Sequence, residues 1–238
     1  GHGLSLTVSG LSGMEEDMKL VESWRFAIKC IKLSYNLKVN LISAGFLFLM
    51  SLVYLIMDAG NGMGNILMLT IAMFPAQMMY SVCGSSLVQS SPRRKAIMTS
   101  LPAVITFCSG MLIYLTMIGV ETVRTMGTPE TARQGAQRIL LMGALLMSLN
   151  IYVGIAYKYF VVSVLLMVGC IMGSYYLIGD GAAILDRFPG ISMPMPAAIA
   201  AGIGMVVLGS LLQYGVSLLV YKKPISRGAI YGLLRQQA

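Results

Sequence analysis

The sequence predicts an all-α integral membrane protein with six transmembrane helices, and its composition and apolar runs support this fold class. Of the 238 residues, 57% are hydrophobic and only 11% are charged, whereas soluble domains carry about 25% charged residues. The mean hydropathy is +0.78. The apolar residues form continuous runs of about 20 residues, the length that a helix needs to cross about 30 Å of hydrocarbon. They lack the period-two alternation of a transmembrane strand.

The N-terminal segment precedes the first apolar run and divides into two parts. Residues 1–17 form a tail without the basic and apolar regions of a signal peptide. Met14 is a candidate native start, which leaves the native origin of residues 1–13 open. Residues 18–39 place apolar side chains at helical spacing among basic ones, which predicts an amphipathic helix in the membrane interface. A packed cytoplasmic helix is the alternative. The side chains expected to mark the interface are Trp24, Arg25 and Lys29.

Six apolar runs follow and make residues 40–221 the transmembrane domain, with a cytoplasmic tail at 222–238. No charged residue lies at mid-depth in any of the runs. Continuous apolarity of this length predicts helices, because only internal hydrogen bonding satisfies the backbone in lipid. The predicted spans are 40–57, 65–84, 101–120, 139–157, 159–179 and 197–221.

Two connections between spans differ from simple turns. Residues 121–138 are polar and contain Gly127 and Pro129, which predicts an outer loop with at most a short helix. Residues 179–196 mix apolar residues with three prolines. This segment is too short and too interrupted to cross the bilayer, so we expect a re-entrant outer segment between helices five and six.

The basic residues predict the orientation of the chain. With the N-terminus in the cytoplasm, thirteen of the seventeen Lys and Arg residues fall in cytoplasmic segments and four in outer segments. Basic residues concentrate in cytoplasmic loops of membrane proteins. An even number of spans then returns the C-terminus to the cytoplasm.

The sequence carries no recognisable set of residues for catalysis or for cofactor binding. It has one histidine and four cysteines without a CxxC pair, so neither a zinc site nor a disulfide framework is expected. It has no GxxxxGK[ST] loop for ATP phosphates. The net charge of +8 lies between apolar runs instead of on one folded surface, so nucleic acid is not an expected partner. We expect no enzyme activity in this chain.

Uncharged polar residues and small residues inside the spans are the remaining candidates for function. Gln77, Asn150 and Gln213 are the most costly to expose to lipid. Each is expected to form an interhelical hydrogen bond, with a place in a substrate pathway as the alternative. Gly169 and Gly173 form a GxxxG motif that lets helices approach closely, within the chain or between two copies.

The segment between spans two and three carries the most specific motif. Ser91 and Pro92 precede the basic triplet Arg93, Arg94 and Lys95, and an apolar run resumes soon afterwards. An ordinary positive-inside anchor is the simpler interpretation. Together with the interfacial helix, the six spans and the re-entrant segment, however, this loop resembles the membrane subunit of bacterial ABC-2-type ABC transporters.

The resemblance extends from about residue 15 to the end of the chain. It implies a permease in the bacterial cytoplasmic membrane, similar to exporters of peptides such as phenol-soluble modulins. Residues 91–95 would contact a separate ATP-binding subunit, present in two copies and holding ATP and magnesium, and a second permease chain would complete a homodimer. Here Leu101-Pro102 follows the basic cluster, whereas in the family a Leu-Pro pair precedes it. The alternatives are the substrate-binding membrane component of a vitamin importer and a non-transporting assembly factor or sensor.

Overall fold

Helices make up the secondary structure of the described part of the chain. The computed structural model describes residues 28–29, 32, 37–57, 63–83, 88, 90, 94–125, 129–156, 158–179 and 193–223. The helices are α1 Leu37–Met57, α2 Met63–Cys83, α3 Arg94–Met98, α4 Ser100–Arg124, α5 Pro129–Ile155, α6 Phe160–Gly179 and α7 Met195–Val220. The predicted all-α class is confirmed for these residues.

Among the described residues, four helical segments are long and apolar enough to cross a membrane. They are Leu37–Met57, Arg94–Arg124, Ala132–Ile155 and Met195–Val220. Large apolar side chains also lie exposed on the outside of the bundle, for example Ile42 on α1 at 73% and Leu165 on α6 at 67%. Soluble monomers rarely expose apolar surface this extensive. The bundle therefore has the surface of a membrane-embedded protein.

The prediction of an outer loop at residues 121–138 is wrong. Helix α4 continues through Arg124, and α5 begins at Pro129, so most of the segment is helical. Glu121 lies 3.6 Å from Arg124 and 3.8 Å from Arg138, measured between carboxylate Oε1 and guanidinium Nη1. Because these ion pairs compensate the charges, both helices extend beyond their apolar runs. Proline suits the first position of α5, where no intrahelical N–H bond is lost.

Helices α5 and α7 run parallel and touch through their backbones. A Cβ atom at Gly143 would lie 2.8 Å from Cα of Gly202, and one at Gly154 would lie 3.1 Å from the carbonyl oxygen of Gln213. A Cβ at Gly143 would force the backbone of α7 to shift, and one at Gly154 would be tighter than an ordinary contact, so glycine permits this close approach. The buried stripe of α7 is Ala198, Gly202, Val206, Gly209, Gln213 and Ser217.

Helix α4 completes the central three-helix core. Tyr114 is fully buried, donates a hydrogen bond of 3.2 Å to the carbonyl oxygen of Ile139 on α5, and fills the space over Gly202 on α7. The tyrosine thus contacts both partner helices at one level. Phenol hydroxyls that are buried in apolar surroundings need such a partner.

Helices α1 and α2 form a hairpin beside this core. The buried hydroxyl of Ser51 donates a hydrogen bond of 2.7 Å to the carbonyl oxygen of Gly64. A Cβ at Gly64 would come within 2.7 Å of the backbone nitrogen of Leu55, so the two helices are in backbone contact here. Apart from Ser51 and Leu55, which lie in this contact with α2, α1 has few buried residues.

Several predicted segments lie outside the described residues. These are the tail at 1–17, most of the predicted interfacial helix 18–39, the greater part of the predicted re-entrant segment and the tail from residue 224 onward. Met193 and Pro194 precede α7, which begins at Met195 with Pro196 in its first turn.

Candidate functional site

The short helix α3 is anchored on the ends of two long helices. Ile97 and Met98 are 2% and 4% exposed and belong to an apolar cluster with the end of α2 and the start of α4. The thiol of Cys83 donates a hydrogen bond of 3.6 Å to the carbonyl oxygen of Ile97. Lys95, on the opposite side of α3, is exposed. One face of α3 therefore packs on the bundle while the other remains accessible.

Basic side chains from three parts of the chain meet at this end of the bundle, which we call the basic end. It comprises Arg94, Lys95, Lys158, Lys222 and Lys223. The Lys158 ammonium donates a hydrogen bond to the carbonyl oxygen of Lys223. Burial lowers the pKa of Lys158 below its ordinary value, and the Arg94 guanidinium lowers this pKa further.

Two tyrosines lie among these cations. The ammonium of Lys95 lies 5.7 Å from the ring centroid of Tyr221, and that of Lys223 lies 4.9 Å from the ring centroid of Tyr159. Lys223 also donates a hydrogen bond to the Tyr159 hydroxyl. Cation–π contacts of this kind hold ammonium groups over aromatic faces, and tyrosine is enriched where helices leave a bilayer.

A buried polar cluster lies deeper in the core, where α4, α5 and α7 meet. The hydroxyl of Thr106 and Oε1 of Gln213 are 2.7 Å apart. Gln213 is fully buried and Asn150 is 6% exposed. The described residues offer no partner to the amide nitrogen of either side chain. Two of the three predicted polar residues thus lie inside the bundle, and Thr106 is the partner that sequence reasoning did not single out.

The Thr106 hydroxyl has one proton for two short contacts. It lies 2.8 Å from the carbonyl oxygen of Pro102 as well as 2.7 Å from Gln213 Oε1, and a hydroxyl cannot donate fully to both. Turning the Gln213 amide by half a rotation places its nitrogen at Thr106, which then donates to Pro102. This orientation gives the amide nitrogen an acceptor and leaves the hydroxyl proton a single acceptor, the Pro102 carbonyl. The pair is therefore an interhelical hydrogen bond that holds α4 to α7.

An apolar cavity of about 50 Å³ lies between α2, α5 and α6. Among the described lining side chains, Thr70 is the one with a hydroxyl, which donates a hydrogen bond of 2.9 Å to the Ile66 carbonyl in its own helix. Neither Asn150 nor Gln213 lines it. The lining side chains are Ile66, Leu69, Thr70, Met73, Leu145, Leu149, Met167, Cys170 and Ile171. Such a cavity suits a small apolar group.

Glu121 is a buried charge that the sequence pattern did not reveal. It is 2% exposed at the end of α4, and both carboxylate oxygens lack a hydrogen-bond partner among the described residues. Its compensation comes from the ion pairs with Arg124 and Arg138. The polar composition around residue 121 indicated a solvated loop, and only the pairing across two helices identifies a buried site.

The other predicted residues divide into described and undescribed ones. Gly169 lies on an exposed part of α6, and a Cβ added there would meet nothing within 4 Å. Lys29 is helical and exposed. Gln77 and Gly173 lie in α2 and α6, but their side-chain positions are outside the description. Outside it altogether are Trp24, Arg25, Ser91, Pro92 and Arg93.

Within the described ranges, no group of three or more His, Cys, Asp or Glu side chains is arranged to hold a metal ion. Comparisons of the chain with protein-family models, with curated proteins and with solved structures found no match.

Proposed function

We propose that this chain is the membrane-spanning permease subunit of an ABC exporter, driven by a separate ATP-binding subunit. The anchoring of α3 is the observation that carries the proposal. A cytoplasmic partner that pushed on residues 91–95 would move Ile97 and Met98, which pack on the ends of both α2 and α4. Interiors as densely packed as this transmit displacement instead of absorbing it.

The proposed topology has six spans, with both termini and the basic end in the cytoplasm. In addition to the four segments described above, α2 and α6 have 21 and 20 residues, and about 20 residues suffice to cross the hydrocarbon. The excess of basic residues at one end supports this orientation. The segment around residues 180–192 would be the re-entrant outer element.

The proposed substrates are amphipathic peptides or other apolar molecules. The cavity between α2, α5 and α6 supports this class, because its lining is apolar and its one hydroxyl is already bonded. A hydrophilic substrate would lose its hydration there without gaining partners. This cavity is about 50 Å³, which is too small for a peptide, so in this proposal a second permease chain completes the pathway. We propose a homodimer with two ATP-binding subunits.

Co-purification followed by loop variants tests the proposal. The tagged chain, extracted from its native membrane in mild detergent, should carry an ATP-hydrolysing chain in equal amount. Arg93→Gln and Arg94→Gln should each weaken this association or its transport-linked hydrolysis. Insertion of Gly after Pro92 should have the largest effect, because it shifts Ser91 and Pro92 relative to Arg93 and the anchored α3.

Lys222→Gln is the matched control, since it removes one positive charge from an exposed position at the same end. It should leave association and hydrolysis unchanged. If no ATPase co-purifies, or if all three loop variants associate and hydrolyse ATP like the unmodified chain, the coupling role of this loop is refuted.

A further inference from the structure

The basic end combines several cations with no described anion. Helix α3 contributes Arg94 and Lys95, the turn between α5 and α6 contributes Lys158, and the segment after α7 contributes Lys222 and Lys223. The acidic residues of the described ranges are Glu121 and Glu130, and both lie near the opposite ends of their helices. The described positive charges of the basic end are therefore not compensated from within that part of the chain.

Arg94 and Lys158 form the centre of this uncompensated charge. The Nε atom of Arg94 is buried without a hydrogen-bond partner among the described residues. The contacts of Lys95 with Tyr221 and of Lys158 with the Lys223 carbonyl bring α3 and the turn before α6 to the same segment after α7. Two cations at partly buried positions repel each other unless an anion lies between them. Guanidinium and ammonium groups together are suited to a phosphate, which accepts charge-assisted hydrogen bonds from both.

An apolar surface begins one turn beyond Lys158. Val161, Val162 and Leu165 on α6 are 70%, 49% and 67% exposed. A phosphate at Lys158 would thus have apolar surface on the membrane side, along which an acyl chain could lie. Tyr159, whose hydroxyl accepts a hydrogen bond from Lys223, lies between Lys158 and the apolar surface of α6. A free nucleotide or an acidic protein would use only the charged part.

We propose that the basic end binds the phosphate of an anionic phospholipid, with Arg94 and Lys158 as its direct partners. The acyl chains lie against the start of α6, and Lys223 and Tyr159 border the headgroup. Basic pockets between helix ends at the cytoplasmic membrane surface bind lipid phosphates on this principle. The site is independent of the ATPase proposal, since it requires neither a partner subunit nor transport.

Native mass spectrometry of the purified full-length chain tests the site in the absence of any ATPase. Phosphatidylglycerol and phosphatidylcholine with identical acyl chains are the probes. The chain should retain phosphatidylglycerol more tightly, and Lys158→Gln or Arg94→Gln should each weaken this binding about tenfold or more, because each removes a direct charge-assisted hydrogen bond to the phosphate. Lys222→Gln, exposed on the neighbouring segment and not a direct partner, should weaken it by no more than about fivefold, the usual effect of one basic residue near a membrane surface.

A charge-conserving variant and competing ligands distinguish the lipid site from its alternatives. Lys158→Arg keeps the charge and should retain the lipid; if Lys158→Gln fails to fold, Arg94→Gln provides the test. Equal retention of the two lipids, or equal losses in Lys158→Gln and Lys222→Gln, would refute the site. Displacement of the lipid by an equal concentration of inorganic phosphate would assign the site to a free anion. Loss of ATPase association in Lys158→Gln without any lipid preference would assign it to a protein partner.

Discussion

Substitution of Gly202 by alanine tests whether backbone contact between helices holds the core together. A Cβ at this position would collide with the Tyr114 hydroxyl and lie 2.7 Å from its Cζ atom. The tyrosine cannot move freely, because it is fully buried and hydrogen-bonded to Ile139. Overpacking of this kind costs about 1–3 kcal/mol. We therefore expect Gly202→Ala to lower the free energy of unfolding despite the better helix propensity of alanine.

Gly204 provides the matched control in the same helix. It is exposed, and a Cβ there meets nothing within 4 Å. Alanine is favoured over glycine by about 1 kcal/mol in a helix interior, and this gain applies equally to both positions. The difference in unfolding free energy between Gly202→Ala and Gly204→Ala therefore isolates the packing cost, which we expect at about 1–3 kcal/mol.

The assay is reversible unfolding in mixed detergent micelles, followed by far-ultraviolet circular dichroism. A double-mutant cycle with Tyr114→Phe tests the contact directly. Removal of the hydroxyl should reduce the loss of unfolding free energy caused by Gly202→Ala by at least about 0.5 kcal/mol, since the two groups are in contact. The rescue should be partial, because Cζ remains close. If Gly202→Ala and Gly204→Ala have the same unfolding free energy, the contact does not limit packing. The same conclusion follows if the effects of Gly202→Ala and Tyr114→Phe on the unfolding free energy are additive.

Two further predictions follow from the ion pairs of α4 and from the exposed glycine of α6. In detergent unfolding, Arg138→Gln should destabilise the chain more than Glu121→Gln does. The arginine substitution leaves a carboxylate that is only 3% exposed with one partner fewer, whereas the arginine side chains are 21–23% exposed and can reach water when the carboxylate is removed. The reverse order of stabilities would contradict this account. Leu at both Gly169 and Gly173 should weaken dimerisation in cross-linking experiments, and Gly169→Leu alone should leave monomer stability unchanged because it meets open space; loss of monomer stability in that single variant would refute the exposed placement.

The sequence predicted the helical class well because continuous apolar runs have no other stable form in lipid. It predicted the end of α4 poorly, since hydropathy records the polarity of Glu121 and not its pairing with Arg138 on the next helix. The meeting of Lys158 and Lys223 was likewise not predictable, because it depends on which helices lie side by side. The basic triplet marked one end of the bundle, but only the structure shows that Lys158 and the segment after α7 lie at the same end as α3.

The glycine contacts show the same limit. The GxxxG rule pointed to Gly169 and Gly173, but a Cβ at Gly169 would meet no other described residue of the same chain within 4 Å. The glycines of the core contact are separated by seven residues on α7, at Gly202 and Gly209, and by eleven on α5, at Gly143 and Gly154. Those spacings correspond to about two and three helical turns, so each pair shares one face. Many glycines in such a chain satisfy some periodic rule, and the partner helix decides which ones matter.

The Thr106–Gln213 hydrogen bond has a consequence for the biosynthesis of the chain. Its two residues are 107 positions apart, and ribosomes add about 5–20 residues per second. The hydroxyl of Thr106 therefore enters the membrane on the order of 5–20 seconds before its partner is made. The backbone contact between Gly143 on α5 and Gly202 likewise cannot form until α7, the last described helix, has been synthesised. During that interval α4 and α5 present an unfilled helix-binding face to lipid and to insertion chaperones. A ribosome stalled before residue 195 should leave a chain that these chaperones retain and that membrane proteases degrade, whereas release after α7 ends that vulnerability.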